Sequence, residues 1–187
     1  MKKRIGILIA SVVTIAGCAT VAADSDYGKE AMAMLKADFK SKGPATMERL
    51  LNQDEAQQLC SEYPTDVPKD KAAALEASQL KQVKYPADGK YLGDWKEGEK
   101  IAQNGRGMQS SDAVGSVNGG NCYACHQISK AEISFGNIGP SLYQYGKIRG
   151  QSEDMLKYTW AKIYNAQAFT ACSNMPRFGH NLSLIHI

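Results

Sequence analysis

The spacing of apolar side chains divides the chain into three stretches with different predicted structure. Lys2, Lys3 and Arg4 precede a largely apolar run from Ile5 to Ala16, followed by small residues. That order is an export leader over residues 1–23, and the run is too short to read as a membrane span. From 24 to about 90, apolar residues recur at near-helical spacing: Met32, Met34, Leu35 and Phe39, then Leu50, Leu51 and Leu59, then Leu75 and Leu80. The pattern predicts helices near Lys29 to Lys40, Thr46 to Cys60 and Lys69 to Gln82, punctuated by Gly43-Pro44, Pro64, Pro68 and Pro86. The first of these is amphipathic in the manner of a helix that packs on its own domain. Residues 24–90 thus read as a helical extension.

Residues 91–187 read as a second domain, also helical. Asp94 can cap a helix that runs to about Asn104, with Glu97 at the reciprocal position of a capping box, and Gly105-Arg106-Gly107 ends it. Gln109 to Asn121 is polar and glycine-rich, which predicts an exposed loop. Gly136 to Leu142 contains Gly139-Pro140, a rigid turn in which the proline biases Gly139 to extended backbone. A further helix starts at Ser152-Glu153-Asp154 and carries Met155, Leu156, Tyr158, Trp160, Ile163 and Tyr164, whose aromatic side chains are expected in core and pocket walls. The fold class predicted is all-α.

The chemistry lies between the loop and the turn. Cys122-Tyr123-Ala124-Cys125-His126 is a C-x-x-C-H pattern downstream of an export leader, the pattern for covalent attachment of haem c. Two cysteines three apart on a helical turn project to one side, so both thiols can add to the vinyl groups of one macrocycle. His126 follows as the proximal iron ligand, its second ring nitrogen free to donate to a carbonyl such as that of Pro140. A thiol redox pair would sit where an apolar strand opens into a helix, whereas the run before Cys122 has loop composition. Structural zinc would need a second ligand pair, and none has that spacing.

Charge and the remaining cysteines refine this picture. Composition is ordinary globular, 43% hydrophobic and 22% charged. The formal charge of +3 comes from Lys2, Lys3 and Arg4, all in the leader; the rest of the basic residues balance the 19 acidic ones, so no nucleic-acid partner is expected. Ordinary cleavage near residue 22 or 23 would release a soluble periplasmic protein. Ile15-Ala16-Gly17-Cys18 also fits a lipoprotein box, in which case Cys18 is lipidated and the protein is membrane-anchored, facing the periplasm. Cys60 and Cys172 then remain as a pair in an oxidising compartment, where a disulfide is the simplest reading against two separate buried thiols. For the second iron ligand, Met175 is favoured because Asn174-Met175-Pro176 lies in an irregular loop well downstream of His126. His180 and an open distal face are the alternatives.

Residues roughly 90 to 181 resemble SoxX, the monohaem cytochrome c subunit of the bacterial SoxAX complex of sulfur oxidation. The resemblance rests on Gly105-Arg-Gly107, the run Gly119 to His126, Gly136 to Pro140, and Ala171-Cys-Ser-Asn-Met-Pro-Arg-Phe-Gly179. It implies a class I cytochrome c fold, one haem c on Cys122 and Cys125, axial ligation by His126 and Met175, and no catalytic residue in this chain. It also implies a heterodimer with a SoxA-like cytochrome that holds the catalytic haem and couples thiosulfate oxidatively to a cysteine of the carrier SoxYZ. This subunit would pass electrons to a soluble cytochrome. A stand-alone electron carrier and a thiol oxidoreductase are the alternative functions. One departure is visible: class I cytochromes close with a C-terminal helix over the first core helix, but here only residues 182–187 follow Asn181, so the expected fold lacks that helix and leaves the face with Trp95 and Ile101 uncovered.

Overall fold

In the computed structural model, residues 27–180 are described, and the expected leader, Cys18 and residues 181–187 lie outside them. The described chain is helical; its one β-type feature is an isolated bridge between Lys42 and Ala45. Seven α-helices occur among the described residues: α1 (Tyr27–Asp38), α2 (Met47–Leu51), α3 (Glu55–Glu62), α4 (Lys69–Lys81), α5 (Trp95–Gln103), α6 (Tyr145–Arg149) and α7 (Glu153–Tyr164). Short 3-10 turns occupy Cys122–Ala124, Ala166–Ala168 and Phe178–His180.

The chain divides into two compact units after Asp38. In the first, α1 buries none of its residues. The second begins at Phe39, which moves the boundary from the residue 90 expected from sequence. The physical reason is that α4 supplies core to the C-terminal half of the chain. Leu75 and Gln79 are fully buried on α4, which packs on the Ala166–Ala168 turn. Just beyond, Val83 joins Ala161, Tyr164 and Ala168 in the main apolar cluster, with Trp160 and Phe169 packed against it.

Local chemistry explains where helices start. The stretch expected as one helix from Thr46 to Cys60 is two. Thr46 caps α2, accepting from the Arg49 amide at 3.3 Å, and Asn52 ends it. Asp54 then opens α3 with a complete capping box: its carboxylate accepts from the Gln57 amide at 3.0 Å while the Gln57 side chain accepts from the Asp54 amide at 2.9 Å. At α5, Asp94 caps as expected through the Lys96 amide at 2.8 Å, but Glu97 does not reach back. Its carboxylate is taken by Lys100 at 2.7 Å. Ser152 caps α7 through the Met155 amide. The five-residue α6 has no counterpart in the periodicity, being too short to show one.

Candidate haem-attachment site

Three backbone hydrogen bonds fix the entry to the motif. The amides of Gly119, Gly120 and Asn121 donate to the carbonyls of Arg106, Ile101 and Asn104 at 2.7, 2.8 and 3.0 Å, so the end of α5 lays a template for the segment before Cys122. A Cβ on Gly119 would fall on the Asn104 carbonyl, which is why backbone can approach backbone only with glycine here. Asn121, in the left-handed region at φ 47°, turns the chain into the Cys122–Ala124 turn.

That turn gathers the chemistry. The Cys122 carbonyl accepts from the amides of Cys125 (3.1 Å) and His126 (2.8 Å), tightening the five motif residues into one coil. Both cysteines are free thiols, half-buried, and Tyr123 between them is buried. The returning segment runs alongside: Gly136, Gly139 and Leu142 donate their amides to the carbonyls of Tyr123, Cys125 and Gln127 at 2.8, 2.8 and 2.7 Å. Pro140 is thereby placed so that its carbonyl accepts from His126 Nδ1 at 2.7 Å. A carbonyl only accepts, so Nδ1 carries a proton, and in the neutral ring Nε2 is the nitrogen with the free lone pair. A Cβ on Gly139 would overlap the His126 ring, so Gly139 is required by close approach and not by its backbone angle.

The donor set fits haem. Two thiols on one turn and an imidazole with its outer nitrogen bare are what covalent attachment and proximal ligation need, since the macrocycle brings the other four nitrogens. Near this turn Ile133 and Ile138 are exposed apolar side chains, at 100% and 72%. Among the described residues, no three His, Cys, Asp or Glu side chains come together to hold a bare ion. Burial pushes the Cys122 thiol above its ordinary pKa, a neighbouring Cys125 thiolate adding slightly in the same direction while a backbone hydrogen bond opposes. A nucleophilic dithiol needs a shift the other way.

Cys60 and Cys172 form the expected disulfide, Cα atoms 5.4 Å apart across 112 residues of sequence. It ties α3 to the loop bearing Met175, which is half-buried, its amide donating to Ser173 Oγ at 3.2 Å. The same loop reaches the motif: Phe178 lies 3.8 Å from where a Gly120 Cβ would stand, and a Cβ there would also be 3.2 Å from Cys122 Sγ. The side chain of His180, the rival ligand, lies outside the described residues. Sequence reasoning missed Arg177, whose guanidinium donates to Asp54 at 2.6 Å and to Gln79 at 3.4 Å. Its neighbours in sequence carried no sign of partners more than ninety residues away.

No protein-family profile matches the chain. An uncharacterized lipoprotein of Aquifex aeolicus (strain VF5) is 36% identical over 166 residues, covering 87% of this chain and 79% of that protein. The chain belongs to the family of that lipoprotein. The shared stretch is long enough to take in both the α3–α4 region and the C-x-x-C-H turn, because only 13% of the chain can fall outside it.

Proposed function

We propose that this chain is a c-type cytochrome of the bacterial envelope, with a class I cytochrome c core, serving as the electron-transfer subunit of a SoxAX-like complex. The observation that carries the reading is the His126–Pro140 hydrogen bond beside two free thiols on one turn. Cys122 and Cys125 would hold the haem through thioethers, and His126 Nε2 and Met175 would be the protein ligands to its iron. Bound there, haem provides a one-electron ferric/ferrous couple. The Pro140 carbonyl holds the imidazole in a single tautomer and orientation.

The SoxX resemblance supplies the place in a reaction. In the complex, a sulfur–sulfur bond forms between thiosulfate and a carrier cysteine thiol of SoxYZ, releasing one proton and two electrons, with the SoxA-like partner holding the catalytic haem. This subunit would hand electrons singly to a soluble cytochrome. The relative's being a lipoprotein favours lipidation at Cys18 over simple leader cleavage, so the protein is membrane-anchored and faces the periplasm. No described helix is long and apolar enough to cross a membrane.

Expression with a cytochrome c maturation system tests the reading. Haem staining should survive a denaturing gel and be lost from Cys122→Ala/Cys125→Ala; a wild-type chain that releases its colour on denaturation would refute it. Copurification from native envelope with a second haem subunit separates the SoxAX-like role from a stand-alone carrier.

A further inference from the structure

The loop from Ala171 to Arg177 does not hold itself. Cys172 sits in the left-handed region at φ 58°, a conformation that a non-glycine residue keeps only when its surroundings impose it. The imposed contacts come from α3, α4 and the cap of α3. Ala171 donates its amide to Glu76 Oε1 at 2.9 Å, Cys172 is bonded to Cys60, and Arg177 donates to Asp54 Oδ2 at 2.6 Å and Gln79 Oε1 at 3.4 Å. These tethers stand on both sides of Met175. Between them, Met175 donates its amide to Ser173 Oγ, and Ser173 is held by its amide to the Thr170 carbonyl and by Gln167 Nε2 to its own carbonyl, both at 3.1 Å. Arg177 has a side chain only 15% exposed, so its ion pair with Asp54 is shielded on the arginine side.

We propose that α3 and α4 form a clamp in which Asp54, Cys60, Glu76 and Gln79 are positioning residues for Met175, keeping its thioether on the iron. The proposal rests on the axial reading given above. The physical need for a clamp is that a soft thioether is a weak ligand for ferric iron, so the bond persists only where the loop is already arranged and little ordering entropy remains to be lost. On this view the helical stretch before residue 90 is part of the redox machinery.

Asp54→Asn is the discriminating variant. Asparagine can still cap α3 through its side-chain oxygen, but its NH2 group cannot accept from Arg177. In the ferric full-length holoprotein, the near-infrared charge-transfer band of thioether ligation should weaken on warming well before the helices melt. Imidazole binding to the iron should quicken by about tenfold, the effect of losing one charge-assisted hydrogen bond. Cys60→Ser/Cys172→Ser should do the same, while Glu62→Gln, which breaks the Lys71 pair on α3 without touching the loop, should change neither reading. Hydrogen exchange of the amides from 171 to 177 in the haem-free Cys122→Ala/Cys125→Ala chain should accelerate on adding Asp54→Asn, with α7 unaffected. Wild-type band stability, imidazole rate and loop exchange in Asp54→Asn and in the double cysteine variant would overturn the clamp and leave the axial reading standing. A wild-type holoprotein with no thioether band would overturn both.

Discussion

Gly139 shows how one missing side chain sets the orientation of a functional group. With no Cβ, its backbone lies against the His126 ring while its amide donates to the Cys125 carbonyl, and the next residue offers the carbonyl that accepts from Nδ1–H. Gly139→Ala is expected to push the ring off Pro140 and to destabilise the fold by about 1–3 kcal/mol, as overpacking does. Urea denaturation measures the loss, and a proton spectrum should show the Nδ1 proton exchanging faster; an unchanged Nδ1 resonance would refute the steric account. The single turn that gathers Cys122, Cys125 and His126, and the Pro140 carbonyl that meets the His126 ring, were legible in the sequence from the C-x-x-C-H spacing and the Gly139-Pro140 turn. The reason for Gly139 was not, since the sequence indicated a turn where the structure shows a collision avoided. At Lys162 the decisive effect is electrostatic: burial lowers its pKa from the ordinary lysine value, opposed by Glu76, while Nζ donates to Thr170 Oγ1 at 3.1 Å and lies over the Phe169 ring. The folded state therefore disfavours the charged form. That cost is fully present at neutral pH and is relieved as pH rises through the lowered folded value towards the unfolded one. The stability of the wild type relative to Lys162→Met should thus increase between neutral pH and about pH 11, read as the difference between their melting temperatures at each pH.

Between elements, a buried polar link joins α4 to the end of α7. Asn165 is fully buried, donating Nδ2 to the Gln79 side-chain oxygen at 3.0 Å and to the Gln79 carbonyl at 3.4 Å, while its own oxygen accepts from the Gln167 amide at 3.2 Å. Gln79 is buried too, and receives Arg177 from the other side. Asn165→Ala leaves the Gln167 amide without its side-chain acceptor and removes the short bond to Gln79, so a loss of about 2 kcal/mol is expected in urea denaturation. A loss under about 0.5 kcal/mol would mean that the link is replaceable by water. None of this was visible in the periodicity, which ranks Asn165 and Gln79 as polar and therefore exposed. Periodicity did find α4, α5 and α7 closely, because their capping residues and breakers agree with the pattern. It merged α2 and α3 because Leu50, Leu51 and Leu59 keep helical spacing across Asn52-Gln53-Asp54; only the Asp54–Gln57 exchange of hydrogen bonds shows that a new helix starts there.

For the whole molecule, the main change from the sequence reading is that residues 39–90 belong to one compact unit with the C-x-x-C-H turn, joined to it by Cys60–Cys172. Sequence could supply the pairing, by elimination in an oxidising compartment, but not the consequence that a crosslink closing 112 residues ends beside Met175. Of the two residues expected on a face short of cover, Trp95 is 70% exposed and Ile101 is half-buried. Where the molecule sits in that envelope turns on Cys18. A single acyl chain gives only marginal, reversible binding and stable anchoring takes two, each buried CH2 contributing about 0.8 kcal/mol. A lipoprotein's modified cysteine carries at least that many chains, so the wild type should sediment with membranes, resist salt and be released by detergent. Salt resistance is the informative condition, because the balanced charge of the remainder offers no electrostatic attachment of comparable strength. Cys18→Ala, with Val21-Ala22-Ala23 left for ordinary cleavage, should instead appear in the soluble periplasmic fraction and still carry covalent haem, since Cys122, Cys125 and His126 are unchanged. A wild-type protein already soluble in the periplasm would reject lipidation and leave the haem site untouched.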